Sequence, residues 1–231
     1  MLDVGCSDGY FLDRLQQLCG IDDGVGVDLS SVAVESARQL TKTRSGLIFQ
    51  TGSAEKLPFA DQSYTKIIVN EVVEHVSDDE RLWSELSRVA KPGALIYITS
   101  PNAYKDMLPI FRGHCRKVDR IEGHLRRYST EEFRSIAEQH GFQVLELLYD
   151  GFIASWLWYA LVVYNMPLKR LAMRLVASDA PTIGSPIKGR PSFNVLATIP
   201  FALMRLMRII DAPFSGSRHA MGMHALLRRI G

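Results

Sequence analysis

The chain opens Met1-Leu2-Asp3-Val4-Gly5-Cys6-Ser7-Asp8-Gly9, a short apolar strand running directly into a turn bracketed by two glycines. Leu2 and Val4 suit a sheet interior, and Asp3 falls near the strand's carboxyl end. Gly5 and Gly9 supply the φ freedom that lets backbone approach a ligand closely. A helix predicted from Tyr10 to about Leu18 directs the positive end of its dipole toward the same place. The spacing Gly5-x-x-x-Gly9 departs from G-x-G-x-x-G, which disfavours a pyrophosphate site. Two readings stay open for the turn alone: a nucleotide-like ligand of another kind, or an ordinary strand-to-helix connection.

Further segments narrow the choice. Gly24-Val25-Gly26-Val27-Asp28-Leu29-Ser30 reads as a second strand ending in an acid, with Ser30 or Ser31 set to cap the next helix. An acid so placed accepts hydrogen bonds from both hydroxyls of a ribose. A third strand, Leu47 to Thr51, precedes Gly52-Ser53-Ala54-Glu55-Lys56-Leu57-Pro58-Phe59, and a fourth, Thr65 to Asn70, continues into Glu71-Val72-Val73-Glu74-His75.

In order and spacing these pieces resemble the class I S-adenosylmethionine-dependent methyltransferases, in the broad group that includes the quinone-biosynthesis methyltransferases, over about residues 1–150. The resemblance implies an α/β fold: a Rossmann-like, mostly parallel seven-stranded sheet with helices on both faces. It also implies S-adenosylmethionine as cofactor. Asp3, Gly5, Ser7 and Gly9 would surround its methionine and ribose, with Cys6 in the same loop as a small buried thiol rather than a nucleophile. Asp28, with Leu29 after it, would hold the ribose diol. Ser53 and Ala54 would lie beside the adenine, and Asn70 would face the sulfonium. Two positions depart from the pattern, since the family commonly has glycine at Ser7 and aspartate at Ser53. It also commonly has an upstream covering helix, so either the true start lies before Met1 or the pocket is unusually open.

The remaining core alternates helix and strand, which argues for a parallel sheet covered on both sides. Asp78 or Asp79 opens a helix that Lys91-Pro92-Gly93 is expected to end, and Ala94 to Thr99 is the fifth strand. The stretch between Thr99 and Ser129 reads as a long loop after strand five. Ser129-Thr130-Glu131-Glu132 resembles a capping box for a helix reaching about His140, and Phe142 to Tyr149 is the sixth strand. The best candidate for a seventh, antiparallel strand is Met221 to Arg228. The domain division that follows is a core at 1–150, a hydrophobic helical insertion at 151–218, and a last strand within 219–231.

A formal net charge of +2 conceals a split: residues 151–231 hold ten Lys or Arg against two acids, whereas residues 1–150 hold seventeen against twenty-three. Gly151 to Leu168 is uncharged and carries Trp156, Trp158, Tyr159 and Tyr164, followed by Lys169, Arg170 and Arg174; a second uncharged stretch runs from Pro191 to Met204. Eighteen residues lie at the lower limit for crossing a bilayer, for which roughly 20 are usual. Aromatic rings with flanking cations suit a segment lying among lipid headgroups. The alternative is a pair of buried helices acting as lid or dimer contact. Cations flanking long apolar runs, on a chain of small net charge, argue against nucleic acid. Three cysteines without metal-ligand spacing fit a reducing cytosol, no leader peptide is visible, and no metal ligands are assigned. The expected location is therefore cytoplasmic, at the inner face of a membrane.

Methyl transfer to a hydroxyl requires loss of a proton, and two histidines are candidate bases: His75 after strand four and His124 on the loop after strand five. Glu71 and Glu74 read as acids at a helix start. Arg126, Arg127 and His114 are candidates for an anionic group on the acceptor. The expected activity is methylation of an amphipathic or lipid-linked acceptor at a membrane surface, with a soluble small-molecule methyltransferase or a catalytically weak membrane adaptor as alternatives.

Overall fold

The computed structural model describes residues 1–151, 211 and 217–231. Their elements follow in the order β1 (Leu2–Val4), α1 (Tyr10–Cys19), β2 (Gly24–Asp28), α2 (Ser31–Leu40), β3 (Leu47–Thr51), β4 (Tyr64–Asn70), α3 (Asp79–Val89), β5 (Ala90–Pro101), α4 (Pro109–Glu122), α5 (Thr130–Gln139), β6 (Phe142–Asp150) and β7 (Gly222–Arg229). The seven strands form one sheet in the order β3-β2-β1-β4-β5-β7-β6, parallel except for β7, which runs antiparallel to both its neighbours. This is the Rossmann-like methyltransferase sheet. The expected last strand is present, one residue further along, wedged between β5 and β6.

Period-two alternation turns Leu2, Val4, Ile67, Val69, Ile96 and Ile98 into one fully buried face. Helices α3 and α5 close it with Leu82, Leu86 and Phe133, and the Trp83 ring stands edge-on to Phe133 at 5.4 Å. Each such side chain contributes roughly 1.5–3 kcal/mol on burial. On the opposite face α1 and α2 pack Leu12, Val34 and Ala37 against Phe49 and Cys6. The helix starts follow local chemistry: Ser30 Oγ accepts from the Ala33 N–H at 3.2 Å, Asp78 Oδ1 from the Arg81 N–H at 3.1 Å, and Ser129 with Glu132 forms the expected capping box.

Two expectations are corrected. Lys91, Pro92 and Gly93 do not end α3, which stops at Val89; they lie in β5. Pairing of β5 with β4 shifts register between Tyr64 and Lys66, an irregularity that accommodates a proline with no N–H to donate. The stretch read as a long loop contains α4. Pro109 occupies its first turn, Phe111 and Cys115 face the core, and Gly123 closes it in the left-handed region. The hydrophobic insertion expected at 151–218 lies almost entirely outside the described residues. Among the described residues, no helix is long and apolar enough to cross a membrane.

The opening turn is sterically determined. Gly5 and Gly9 have φ of +77° and +75°; a Cβ on Gly5 would overlap Val72 Cγ2, and one on Gly9 would lie 2.8 Å from Ala37 Cβ. Ser7 between them also has positive φ, 48°, where the family usually has glycine. A left-handed conformation costs an L-residue roughly 1–2 kcal/mol. In urea unfolding, Gly5→Ala is expected to lose more than ~2 kcal/mol, strain and overlap together, while Ser7→Gly gains up to ~1 kcal/mol.

Candidate active site

The carboxyl ends of β1 to β5 converge on one edge of the sheet, and Asp28 organises it. Its Oδ2 accepts from the Ser7 N–H at 2.9 Å and its Oδ1 from the Ser30 N–H at 2.8 Å, so one carboxylate ties the turn after β1 to the turn after β2. Its backbone carbonyl accepts from the Gly52 N–H at 2.9 Å, bringing in the end of β3. Beyond Gly52, Ser53 Oγ accepts from the Glu55 N–H at 3.1 Å, which leaves its hydroxyl hydrogen able to donate, and Ala54 is half-buried beside it. Leu29 projects from the end of β2 and is 78% exposed. At the end of β4, exposed Asn70 accepts from Thr99 Oγ1 at 2.9 Å, and the same hydroxyl accepts from the Glu71 N–H. The residues expected around a nucleoside thus share one edge. Glycines with no room for a Cβ, and a strand-end carboxylate with lone pairs to spare, fit the cofactor implied by the sequence.

Asp3 and Cys6 sit behind this edge. Asp3 is 2% exposed, and burial, reinforced by the charge of Asp28, pushes its pKa up to about 7. Cys6 packs in the α1–α2 core, and burial, with Asp3 and Asp28 nearby, raises its thiol far above the usual range, which makes it inert as a nucleophile.

The two histidines, distant in sequence, meet in space: their rings stand edge to face with centroids 4.8 Å apart. The loop 123–127 is stitched onto the loop after β4. Leu125 N–H donates to Glu74 O at 2.8 Å, and the Arg126 guanidinium donates to the carbonyls of Val73, Val76 and Ser77. His124 Nδ1 lies 2.8 Å from Asp119 Oδ1. Asp119 also receives a two-pronged contact from Arg127 and a hydrogen bond from the Tyr104 hydroxyl. Burial opposes its ionisation, but these donors outweigh burial and hold its carboxyl well below the ordinary range. An ionised Asp119 only accepts, so Nδ1 of His124 carries the proton and Nε2 presents a lone pair.

Glu74 is the opposite case. It is fully buried, and neither carboxyl oxygen is hydrogen-bonded. Burial and the negative charge of Glu71 push its pKa up to about 9, so it is neutral at physiological pH. Neither acid starts a helix, contrary to expectation: Glu71 has φ of 53° at the strand end, Glu74 sits in the following turn, and α3 begins at Asp79. Glu74, His75 and His124 each bring one ligand atom to within 4.8 Å of the others. That set suits proton exchange, and a divalent cation on loss of the Glu74 proton, although the sequence suggested no metal ligands.

A cleft of about 460 Å³ opens here, lined by Tyr104, Lys105, Asp119, His124, Leu125 and Glu132 together with the arginines. Arg126 and Arg127 are committed to backbone carbonyls and to Asp119, so they build the wall and are not free to bind an anion. Burial, with the charges of Arg127 and Lys117, pushes the pKa of His114 down, which keeps it neutral. The sequence missed Asp119 and Tyr104. A proline at the first turn of α4, with Phe111 and Cys115 four residues apart, is the signal that could have found the helix carrying Asp119.

Residues 2–98 match the family model described as a methyltransferase domain. Norajmaline N-methyltransferase of Rauvolfia serpentina is 34% identical over 112 residues, which are 47% of this chain and 38% of that enzyme. Ubiquinone biosynthesis O-methyltransferase of Brucella anthropi is 31% identical over 104 residues, 44% and 41% of the two chains. The matched stretch is thus less than half the length of these relatives. A methyltransferase solved in complex with the Trm112 activator of Haloferax volcanii superposes over 100% of this chain and 82% of its own, with a TM-score of 0.63 at 19% identity. Residues 2–98 thus form a methyltransferase domain, carried on a sheet with the fold of the class I S-adenosylmethionine-dependent methyltransferases.

Proposed function

We propose that the protein methylates a hydroxyl oxygen of an amphipathic or lipid-linked acceptor at the inner surface of a membrane, with His124 as general base. The observation that carries this reading is the Asp119-fixed His124, which lines the cleft after β5 and meets the His75 ring from the loop after β4. The uncharged aromatic run 151–168 and the cations after it support the membrane part, and the Brucella relative is named as an O-methyltransferase.

When bound, S-adenosylmethionine supplies an electrophilic methyl group on sulfur, open to in-line displacement. The chain's part is to position and to move a proton. Asp28 holds the ribose hydroxyls, with Leu29 against the nucleoside. Gly5, Ser7 and Gly9 keep backbone close to the methionine end, Ser53 and Ala54 border the base, and Asn70 faces the transfer point. Nε2 of His124 would take the acceptor's hydroxyl proton as the oxygen–methyl bond forms and the sulfur–methyl bond breaks, the sulfur leaving as a neutral thioether, and Asp119 would stabilise the resulting imidazolium. His75, against the His124 ring, is the second candidate to relay that proton.

Calorimetry is expected to detect cofactor binding by the intact chain and none by Asp28→Ala. Absence of binding by the unsubstituted chain would overturn the enzyme reading. The pH dependence follows from Asp3. Its folded pKa of about 7 exceeds the unfolded value, so its contribution to the free protein's stability is full in acid and declines as pH rises through about 7. A ligand ammonium favours the ionised form, so cofactor affinity should rise with pH and level off above about 7, with proton release on binding below it. Asp3→Asn should remove this slope.

Incubation with methyl-labelled cofactor and a total cell extract should place label in the lipid fraction, and label confined to the aqueous fraction would sink the amphipathic acceptor. With the acceptor so found, His124→Ala is expected to lower kcat by ~10²–10⁴-fold with cofactor binding unchanged.

A further inference from the structure

Helix α4 has two unlike sides. The inner side buries Phe111 and Cys115 in the core and turns Asp119 toward His124 and Arg127. The outer side exposes Ile110 by 58% and Ile121 by 53%, with exposed Arg116, Lys117 and Arg120 between them. At 3.6 residues per turn, positions 110, 117 and 121 fall on one line along the helix, with 113, 116 and 120 on the row beside it. Neither row contains an acid. The two acids of α4 lie elsewhere, Asp119 inward and Glu122 at the last position of the helix. Two further exposed apolar side chains flank the helix: Leu108, 37% exposed, before it, and Leu125, 62% exposed, on the rim of the cleft.

Two isoleucines held out in water gain nothing from the fold, and cations confined to the same strip are what an anionic, half-apolar surface complements. We infer that the outer side of α4 docks on an anionic lipid bilayer, with Ile110 and Ile121 entering the headgroup boundary and Lys117 and Arg120 meeting lipid phosphates or carboxylates, while Arg116 at the edge of the strip stacks over the Tyr104 ring at 5.4 Å. The inference rests on the membrane-surface reading above and gives it a surface: the helix that fixes Asp119 from its inner side would lie on the membrane by its outer side, with Leu125 bringing the cleft mouth to the lipid. An amphipathic acceptor could then reach His124 with its tail still in the bilayer. A nucleic acid would use the cations but leave the isoleucines in water, which favours lipid.

The test is flotation of the full chain with phosphatidylcholine vesicles, with and without one third phosphatidylserine, at low and high salt. Binding is expected to need the anionic lipid and to fall with salt. Each exposed cation near a charged leaflet is worth about a five-fold change in partitioning, so Lys117→Gln with Arg120→Gln should weaken binding roughly 25-fold. Ile110→Ser with Ile121→Ser should weaken it at least ~10-fold at either salt concentration. Cofactor binding, which these residues do not touch, reports that each variant is folded. If the unsubstituted chain floats and both variants float equally well, the α4 surface is overturned while the membrane reading stands. If the unsubstituted chain does not float at all, both fall. Label found only in aqueous products, with α4-dependent flotation intact, overturns the lipid acceptor and keeps the docking surface. Tighter retention on mixed-sequence RNA than on anionic vesicles, or self-association through this side in sedimentation without lipid, also overturns it.

Discussion

One carboxylate holds the cofactor edge together. Asp28 takes the N–H of Ser7 with one oxygen and the N–H of Ser30 with the other, while its carbonyl receives Gly52. Charge-assisted bonds of this kind are stronger than neutral ones. They offset a local cost, since Ser7 holds a left-handed backbone that most side chains avoid and its N–H points at Asp28 because of it. The acid that we propose holds the ribose is therefore also the acid that shapes the loops around it. Two of a carboxylate's roughly four lone-pair directions are consumed by the protein, and the other two remain for hydroxyl donors.

The cleft beyond β4 depends on two carboxyl groups kept in opposite states. Asp119 is ionised because an imidazole, a guanidinium and a phenol all donate to it; Glu74 is neutral because it is buried without a hydrogen bond and faces the charge of Glu71. Such separation of two acids by environment is the usual way one site supplies an anchor and a proton reservoir at the same pH. His75 and His124 lie beside this pair, with their ring centroids 4.8 Å apart.

What could be read from the chain alone was what is local. The Gly5 and Gly9 turn, the acid closing β2 and the capping box at Ser129 are short-range signals, and each element stands where those signals put it. Where a tertiary partner decides, reading failed. Pro92 and Gly93 look like a helix stop, but pairing with β4 draws them into β5. Glu74 reads as an acid at a helix start, and only the fold that presses loop 123–127 over it makes it a buried one. Asp119 announced nothing, because its role comes from three partners, of which Tyr104 lies across the cleft. The approach of His75 to His124 is likewise a product of two loops meeting.

The place of β7 bears on how the molecule is made. Among the described residues β6 is bonded to the sheet through β7 alone, and β7 is synthesised only after everything from Gly151 to Met221 has been made. Until then β5 presents an unpaired edge, and α5 with β6 has no sheet partner to lock against. Closing a loop of that length delays the last pairing, and an open strand edge is a site for unwanted association in the meantime. The nascent chain therefore emerges with its cofactor half able to order early and its acceptor half waiting on the final strand.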